Sequence, residues 1–238
     1  MLCCRVLLWN DYKMSKNDEI FTFLNHEPGT GVAVVDRDGK ILYINEESIR
    51  IFFDKPVTYE DLRGKSLVEM GFPEQWANER IRLIREIEET GQEILLRTIW
   101  QGRQQFSWMR GLEQEEGEPF RALVVTRRLS AGEESDRLLD SEMPVIKSEV
   151  AGLGGLCVLT KRELEVLALI GQGLTAKEIA AIMFRSVKTV ENHRIALGAK
   201  LKKSNKVELA MIARDAGLMV DDSLRARVCG KVRTEVRR

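Results

Sequence analysis

Thr175-Ala176-Lys177-Glu178-Ile179-Ala180-Ala181-Ile182-Met183-Phe184-Arg185-Ser186-Val187-Lys188-Thr189-Val190-Glu191-Asn192-His193-Arg194 is the stretch that decides how this chain is read. Thr175 and Glu178 have the spacing of a capping box, in which the hydroxyl accepts from the third amide and the carboxylate reaches back. Ile179, Ile182 and Met183 follow at helical spacing and predict a short helix with one inward face. Phe184-Arg185 breaks it, and Ser186 opens a second helix with Val190, Leu197 and Leu201 inward. A turn this short fixes a steep crossing, and small Ala180 lets the helices approach. The second helix then protrudes with Lys188, Glu191, Asn192, Arg194, Ile195 and Ala199 outward, a polar, small-featured face suited to a major groove.

Upstream, Thr160-Lys161-Arg162-Glu163 is another capping box, followed by Leu164, Val166, Leu167 and Ile170 and closed by Gly171 and Gly173. Downstream, Asn205-Lys206-Val207-Glu208 caps a fourth helix carrying Leu209, Ile212, Ala213 and Ala216. The pattern predicts an all-α unit of four short helices. Charge supports a nucleic-acid surface there: Lys and Arg exceed Asp and Glu by eight in 158–238, and the reverse holds in 1–157, although the 37 cations and 37 acids of the 238-residue chain cancel. A hydrophobic content of 44% excludes a disordered chain.

Leu159-Thr160-Lys161-Arg162-Glu163, Gly173-Leu174-Thr175-Ala176-Lys177-Glu178-Ile179-Ala180, Ser186-Val187-Lys188-Thr189-Val190-Glu191-Asn192-His193-Arg194 and Lys200-Leu201 together resemble the LuxR/FixJ-type DNA-binding domain of bacterial transcription regulators. The resemblance implies double-stranded DNA as partner. It places Glu191, Asn192 and Ile195 at bases and Thr175, Lys177, Lys188, Thr189 and Arg194 at phosphates. Ser186, His193 and Lys200 complete the expected DNA-binding set, with His193 either under the helix or on a phosphate. The fourth helix (Leu209, Ile212, Ala213, Ala216) is the implied dimer contact, so a homodimer is expected, and RNA polymerase is an admitted partner.

The N-terminal part reads differently. Gly31-Val32-Ala33-Val34-Val35 and Ile41-Leu42-Tyr43-Ile44 are β-rich runs joined at Asp38-Gly39, a strong hairpin signal. Asn45 suits a helix cap before Glu46–Phe53, with Ile49, Phe52 and Phe53 inward. A longer helix follows Pro73, with Ala77, Ile81, Ile84 and Ile87 inward, Arg80, Arg82, Arg85 and Glu89 outward, and Gly91 at its end. Strands over 94–100, 104–112 and 120–128 complete an α+β unit: one five-stranded antiparallel sheet with helices on one face. This order, with Val35-Asp36-Arg37-Asp38-Gly39-Lys40-Ile41-Leu42-Tyr43-Ile44-Asn45 and Leu62-Arg63-Gly64-Lys65-Ser66-Leu67, resembles a PAS sensor domain. The resemblance admits a small-molecule ligand of unassigned identity or a protein partner. No cofactor is expected: the long helix has no His for haem iron, and the segment has no Cys for flavin–cysteine chemistry. Trp108, Phe106, Phe52 and Trp76 read as core.

The expected organisation is an N-terminal extension (1–19), a PAS-like unit (20–128), an acidic flexible linker (129–156), the helix-turn-helix unit (157–219) and a basic tail (220–238). Met14 reads as an alternative start. Cys3, Cys4, Cys157 and Cys229 are scattered, which excludes a disulfide scaffold, and with only His26 and His193 no metal site is expected. No apolar run reaches membrane-spanning length, so no membrane partner is expected and the expected compartment is cytoplasmic. The expectation is a non-enzymatic, sequence-specific DNA-binding regulator whose PAS-like part senses a signal or drives dimerisation. An adaptor with weak DNA binding, or a cofactor-binding sensor, is the alternative.

Overall fold

The computed structural model describes Leu24 and residues 27–113, 116–129, 131–139 and 145–229. The 1–19 extension, the alternative start at Met14, Cys3, Cys4, His26 and the tail beyond Cys229 lie outside them. The first hairpin forms as the sequence predicts: β1 (Thr30–Asp36) pairs antiparallel with β2 (Ile41–Ile44), and Gly39 takes φ 75° in the turn. The Asp36 carboxylate accepts from the amides of Asp38 and Lys40, which closes the turn. Asn45 caps α1 (Glu46–Phe52), accepting from Ser48 N at 2.8 Å and Val32 N at 2.9 Å and donating to the Thr30 carbonyl. One amide thus fixes both the start of a helix and its angle to the sheet.

A single turn, α2 (Tyr59–Leu62), leads to α3 (Glu74–Thr90), which ends on Gly91 in the left-handed region at φ 68°. Then β3 (Ile94–Trp100), β4 (Arg103–Gly111) and β5 (Arg121–Arg128) pair antiparallel in sequence, and β5 returns to β1. Helix α4 (Glu133–Leu139) precedes β6 (Val145–Gly152).

The sheet exceeds the expected five strands. Among the described residues it has seven, in the order β2-β1-β5-β4-β3-β6-β7, where β7 is Ala226–Val228. β6 lies parallel to β3, and β7 parallel to β6. Two expectations are therefore corrected. Residues 145–152 are a strand of the sheet between β3 and β7, not flexible linker, and residues 220–228 are a 3-10 turn and a strand, not a free tail. The reason is non-local: these strands are stabilised by partners far away in sequence, which local composition does not display.

The four-helix unit expected to bind DNA, here called the DNA-binding unit, sits between these two strands. After η1 (Gly154–Val158) come α5 (Lys161–Gly171), α6 (Ala176–Ile182), α7 (Val187–Leu201) and α8 (Lys206–Asp215), then η2 (Val220–Leu224). Its core is continuous with the sheet's outer face: Ile99 and Ala151 pack in one cluster with Leu153, Leu164, Leu167, Ile179, Leu197 and Leu209. Arg97, fully buried on β3, makes two bonds of 3.0 Å to the Asp222 carboxylate and others to Gln104 Oε1 and the Gly217 carbonyl. Gly217 sits at φ 55°, and a Cβ there would lie 2.2 Å from Gln104 Oε1, so this contact requires glycine.

Removing one member of a buried ion pair strands the other charge, at about 3–5 kcal/mol. Asp222→Ala should therefore lower full-chain stability by that amount in urea denaturation, and the double variant Arg97→Met/Asp222→Leu should recover most of it.

Candidate nucleic-acid interface and internal cavity

All the helices of the DNA-binding unit start on side-chain caps. Thr160 and Glu163 cap α5, Thr175 and Glu178 cap α6, Ser186 accepts from Thr189 N to cap α7, and Asn205 caps α8. The hydroxyls of Thr175 and Thr189, expected at phosphates, and of Ser186, expected in the DNA-binding set, are thus engaged at helix starts, with Ser186 Oγ and Thr189 Oγ1 2.8 Å apart. Phe184 takes φ 52° in the turn and is 89% exposed.

Helix α7 presents Lys188, Asn192, Ile195 and Ala199 along one exposed stripe, with Ile195 61% exposed. Its opposite side is anchored by buried Val190 and Leu197. Arg194 bonds Glu191 at 2.8 Å, one turn away, so these two expected contacts partly neutralise each other. His193 is half-buried. Lys200 bonds Glu163 at 2.7 Å and so ties α7 to the capped start of α5. Lys177, Arg185 and Lys188 are exposed.

The expected dimer residues divide. Leu209, Ala213 and Ala216 are buried in the unit's own core, and Ile212 is half-buried. The outer face of α8 is formed instead by Val207, 68% exposed, and Met211, 60% exposed. Sequence reading missed them because the i, i+4 spacing of 207 and 211 competes with the stronger 209/213/216 set.

The other face of the sheet, with α1 and α3, walls a cavity of about 70 Å³ that is partly open to solvent. Phe52, Phe72 and Trp76 line it, Phe72 stacking on Trp76 at 4.5 Å between centroids. Phe106 and Trp108, grouped with these by sequence, lie on the opposite face with Leu95 and Leu129, because strand residues alternate. Gln105, Ser107 and Met109 face the cavity instead. Both polar atoms of the Gln105 amide, and Trp76 Nε1, are buried without a hydrogen-bond partner. Arg80, expected outward, is buried at the cavity wall. It lies 4.0 Å from the Trp76 ring centre, donates to Thr98 Oγ1 at 3.0 Å, and pairs with Glu79. Burial pulls its pKa down to about 10, against the pull of Glu79. Glu79 also accepts from Ser148 Oγ and Glu149 N on β6. Among the described residues no group of three or more His, Cys, Asp or Glu is placed to hold a metal. No helix among them is long and apolar enough to cross a membrane.

Residues 157–213 match the luxR family of bacterial regulatory proteins, so the chain carries a LuxR-type DNA-binding domain. The oxygen regulatory protein NreC of Staphylococcus carnosus is 50% identical over 56 residues, 24% of this chain and 26% of its own, and NreC of Staphylococcus aureus matches equally. The chain thus spans about a quarter of the length of these relatives. A Vibrio cholerae VqmA complex with ligand and DNA is similar over 88% of this chain and 93% of its own, at 21% identity and TM-score 0.47. The PAS domain of Cronobacter turicensis RpfR with BDSF is similar over 44% of this chain and 97% of its own, at 13% identity and TM-score 0.34. At those values neither structure assigns a ligand to this chain.

The Glu163 carboxyl gives a pH prediction. Burial alone would raise its pKa, but the bonds from Lys200 and Thr160 outweigh that and hold it below the ordinary value. A lowered folded value means stability that is present above the unfolded pKa and lost as pH falls through the folded one. The melting temperature should fall as pH drops below about 4.5, and Glu163→Gln should flatten that part of the profile.

Proposed function

We propose that the chain is a sequence-specific DNA-binding transcription regulator whose N-terminal unit is a PAS-like sensor. The observation that carries this is the exposed Lys188–Asn192–Ile195 stripe on the protruding helix of a LuxR-type domain. Lys188, with Lys177 and Arg185, supplies the phosphate attraction that fixes position without reading sequence. Asn192 offers a donor and an acceptor to an adenine edge, and Ile195 an apolar contact for a thymine methyl.

One such unit buries only about 600–1,000 Å² on DNA, and a dimer makes the second docking intramolecular. The α8 face of Val207 and Met211 supplies a seam between copies, and the sensor unit supplies the rest of the dimer. The cavity supports a small-molecule role for the sensor: its walls are apolar, and the Gln105 amide and Trp76 indole point unmet polar groups into it. Buried polar atoms left unpaired are costly, and a ligand that pairs with them recovers that cost.

In selections from random duplexes, Asn192→Ala should lose preference at one base pair, worth about 1–3 kcal/mol. Lys188→Ala should instead weaken all duplexes alike and lower the salt slope by about one. An unchanged base preference in Asn192→Ala would exclude this reading of the helix. For the sensor, Gln105→Leu satisfies the apolar wall without a ligand, so it should raise the melting temperature of the ligand-free chain while abolishing the thermal shift given by any bound metabolite.

A further inference from the structure

Cys157 and Cys229 form a disulfide, 72 positions apart in sequence and 5.8 Å between Cα atoms. Cys157 lies in η1, where the chain leaves β6, and Cys229 follows β7. The chain between them is the whole DNA-binding unit. The bond therefore closes that unit into a ring whose neck is the parallel pair β6 and β7.

Three features set this bond apart from a structural staple. Cys229 is exposed and Cys157 half-buried, so a reagent can reach the sulfur of Cys229. Arg227, on β7, donates to the Leu159 carbonyl at 2.6 Å and ties that strand to the chain just after η1 whether or not the bond is formed. The neck is also held without the bond, by the strand ladder, the Arg97–Asp222 pair and the Lys147–Asp221 pair at 2.8 Å. A protein that acts on DNA works where thiol pools keep most cysteines reduced, and disulfides found there are mainly transient or sensing.

We propose that Cys157–Cys229 is a reversible thiol–disulfide modification site, acted on by low-molecular-weight thiols and disulfides, that sets how firmly the DNA-binding unit is held on the sheet. In reduction, a thiolate attacks the Cys229 sulfur, the S–S bond breaks, and Cys157 leaves as a thiolate that takes up a proton. A second thiol then resolves the mixed disulfide on Cys229. Two thiols become one disulfide, and the protein gains two electrons and two protons as two S–H groups. Oxidation by a small disulfide runs the same exchange in reverse.

Opening the bond leaves β7, a three-residue edge strand, held by its ladder with β6, the Arg227 bond to the Leu159 carbonyl, the burial of Val228 and the polar contacts of η2. The docked arrangement already exposes Lys188, Asn192 and Ile195. The oxidised form is therefore the pre-organised, tighter DNA binder, a consequence that rests on the DNA-binding reading above.

The test uses the full-length chain with Cys3→Ser and Cys4→Ser, so that only this pair responds. It is equilibrated across mixtures of reduced and oxidised glutathione. Maleimide tagging read by mass spectrometry should show Cys157 and Cys229 changing state together. In the reduced form the amides of 226–228 should exchange with deuterium about tenfold faster. A duplex selected from random sequence should bind the reduced form roughly threefold to tenfold more weakly. The double variant Cys157→Ser/Cys229→Ser should match the reduced form and ignore the glutathione ratio. The proposal is overturned if the pair stays reduced in the most oxidising mixture, if exchange at 226–228 is the same in both forms, or if both forms bind the duplex equally. Redox-dependent exchange without binding to any duplex would support the latch and remove the regulator reading.

Discussion

Arg97 is a full charge placed in the middle of a strand with no access to water, and the structure around it is organised to satisfy that charge. The Asp222 carboxylate accepts from both ends of the guanidinium, Gln104 accepts from Nε, and the Gly217 carbonyl takes a further bond. Asp222 also accepts from Met219 N, so the acid is fixed by the turn that carries it. Burying both charges is expensive, and such a pair specifies one geometry more than it adds stability. Here the geometry specified is the seat of the DNA-binding unit on the sheet, between residues 125 positions apart in sequence.

Strand alternation puts the cavity and the LuxR-type domain on opposite faces of one sheet. On β3, Arg97 points to the DNA-binding unit while its neighbour Thr98 accepts from Arg80 at the cavity wall. On β6, Ser148 bonds Glu79 beside the cavity, while Lys147 bonds Asp221 on the other side. The cavity and the DNA-binding unit therefore share two strands and have no flexible segment between them on this side. Glu79, the partner of Arg80, is bonded to β6, the strand that carries the neck of the DNA-binding unit.

Helix α7 shows how caps and ion pairs simplify a crowded surface. Several basic or hydroxyl residues that face DNA in a sequence reading are already engaged: Thr175 and Ser186 in caps, Lys200 with Glu163, Arg194 with Glu191. The Lys200–Glu163 bond ties α7 to α5, and Lys188, Asn192, Ile195 and Ala199 remain along its exposed stripe. A rigid helix with few outward groups loses little entropy on docking.

The sequence by itself determined the local devices. The capping boxes at Thr160 and Thr175, the Asp38-Gly39 turn, the Asn45 cap and the Gly91 stop each act over a few residues, so their chemistry is visible in order along the chain. The four helices, the first five strands and the outward stripe of α7 follow from them. Only the tertiary structure decided the rest. The strand Val145–Gly152 and the short strand Ala226–Val228 have modest local signals and exist because β3 and β6 offer them hydrogen bonds. Arg80 reads as a surface charge until the fold places Trp76, Thr98 and Ser148 around it, and Arg97 is buried because folding brings Asp222 to it across 125 positions. Gln105, inconspicuous in a strand, became a cavity group through the parity of its neighbours. The bond between Cys157 and Cys229 joined two cysteines whose nearness exists only because β6 and β7 lie side by side. Short-range hydrogen bonding writes itself into adjacent residues, whereas charge burial and strand partnership depend on groups that only the folded chain brings together.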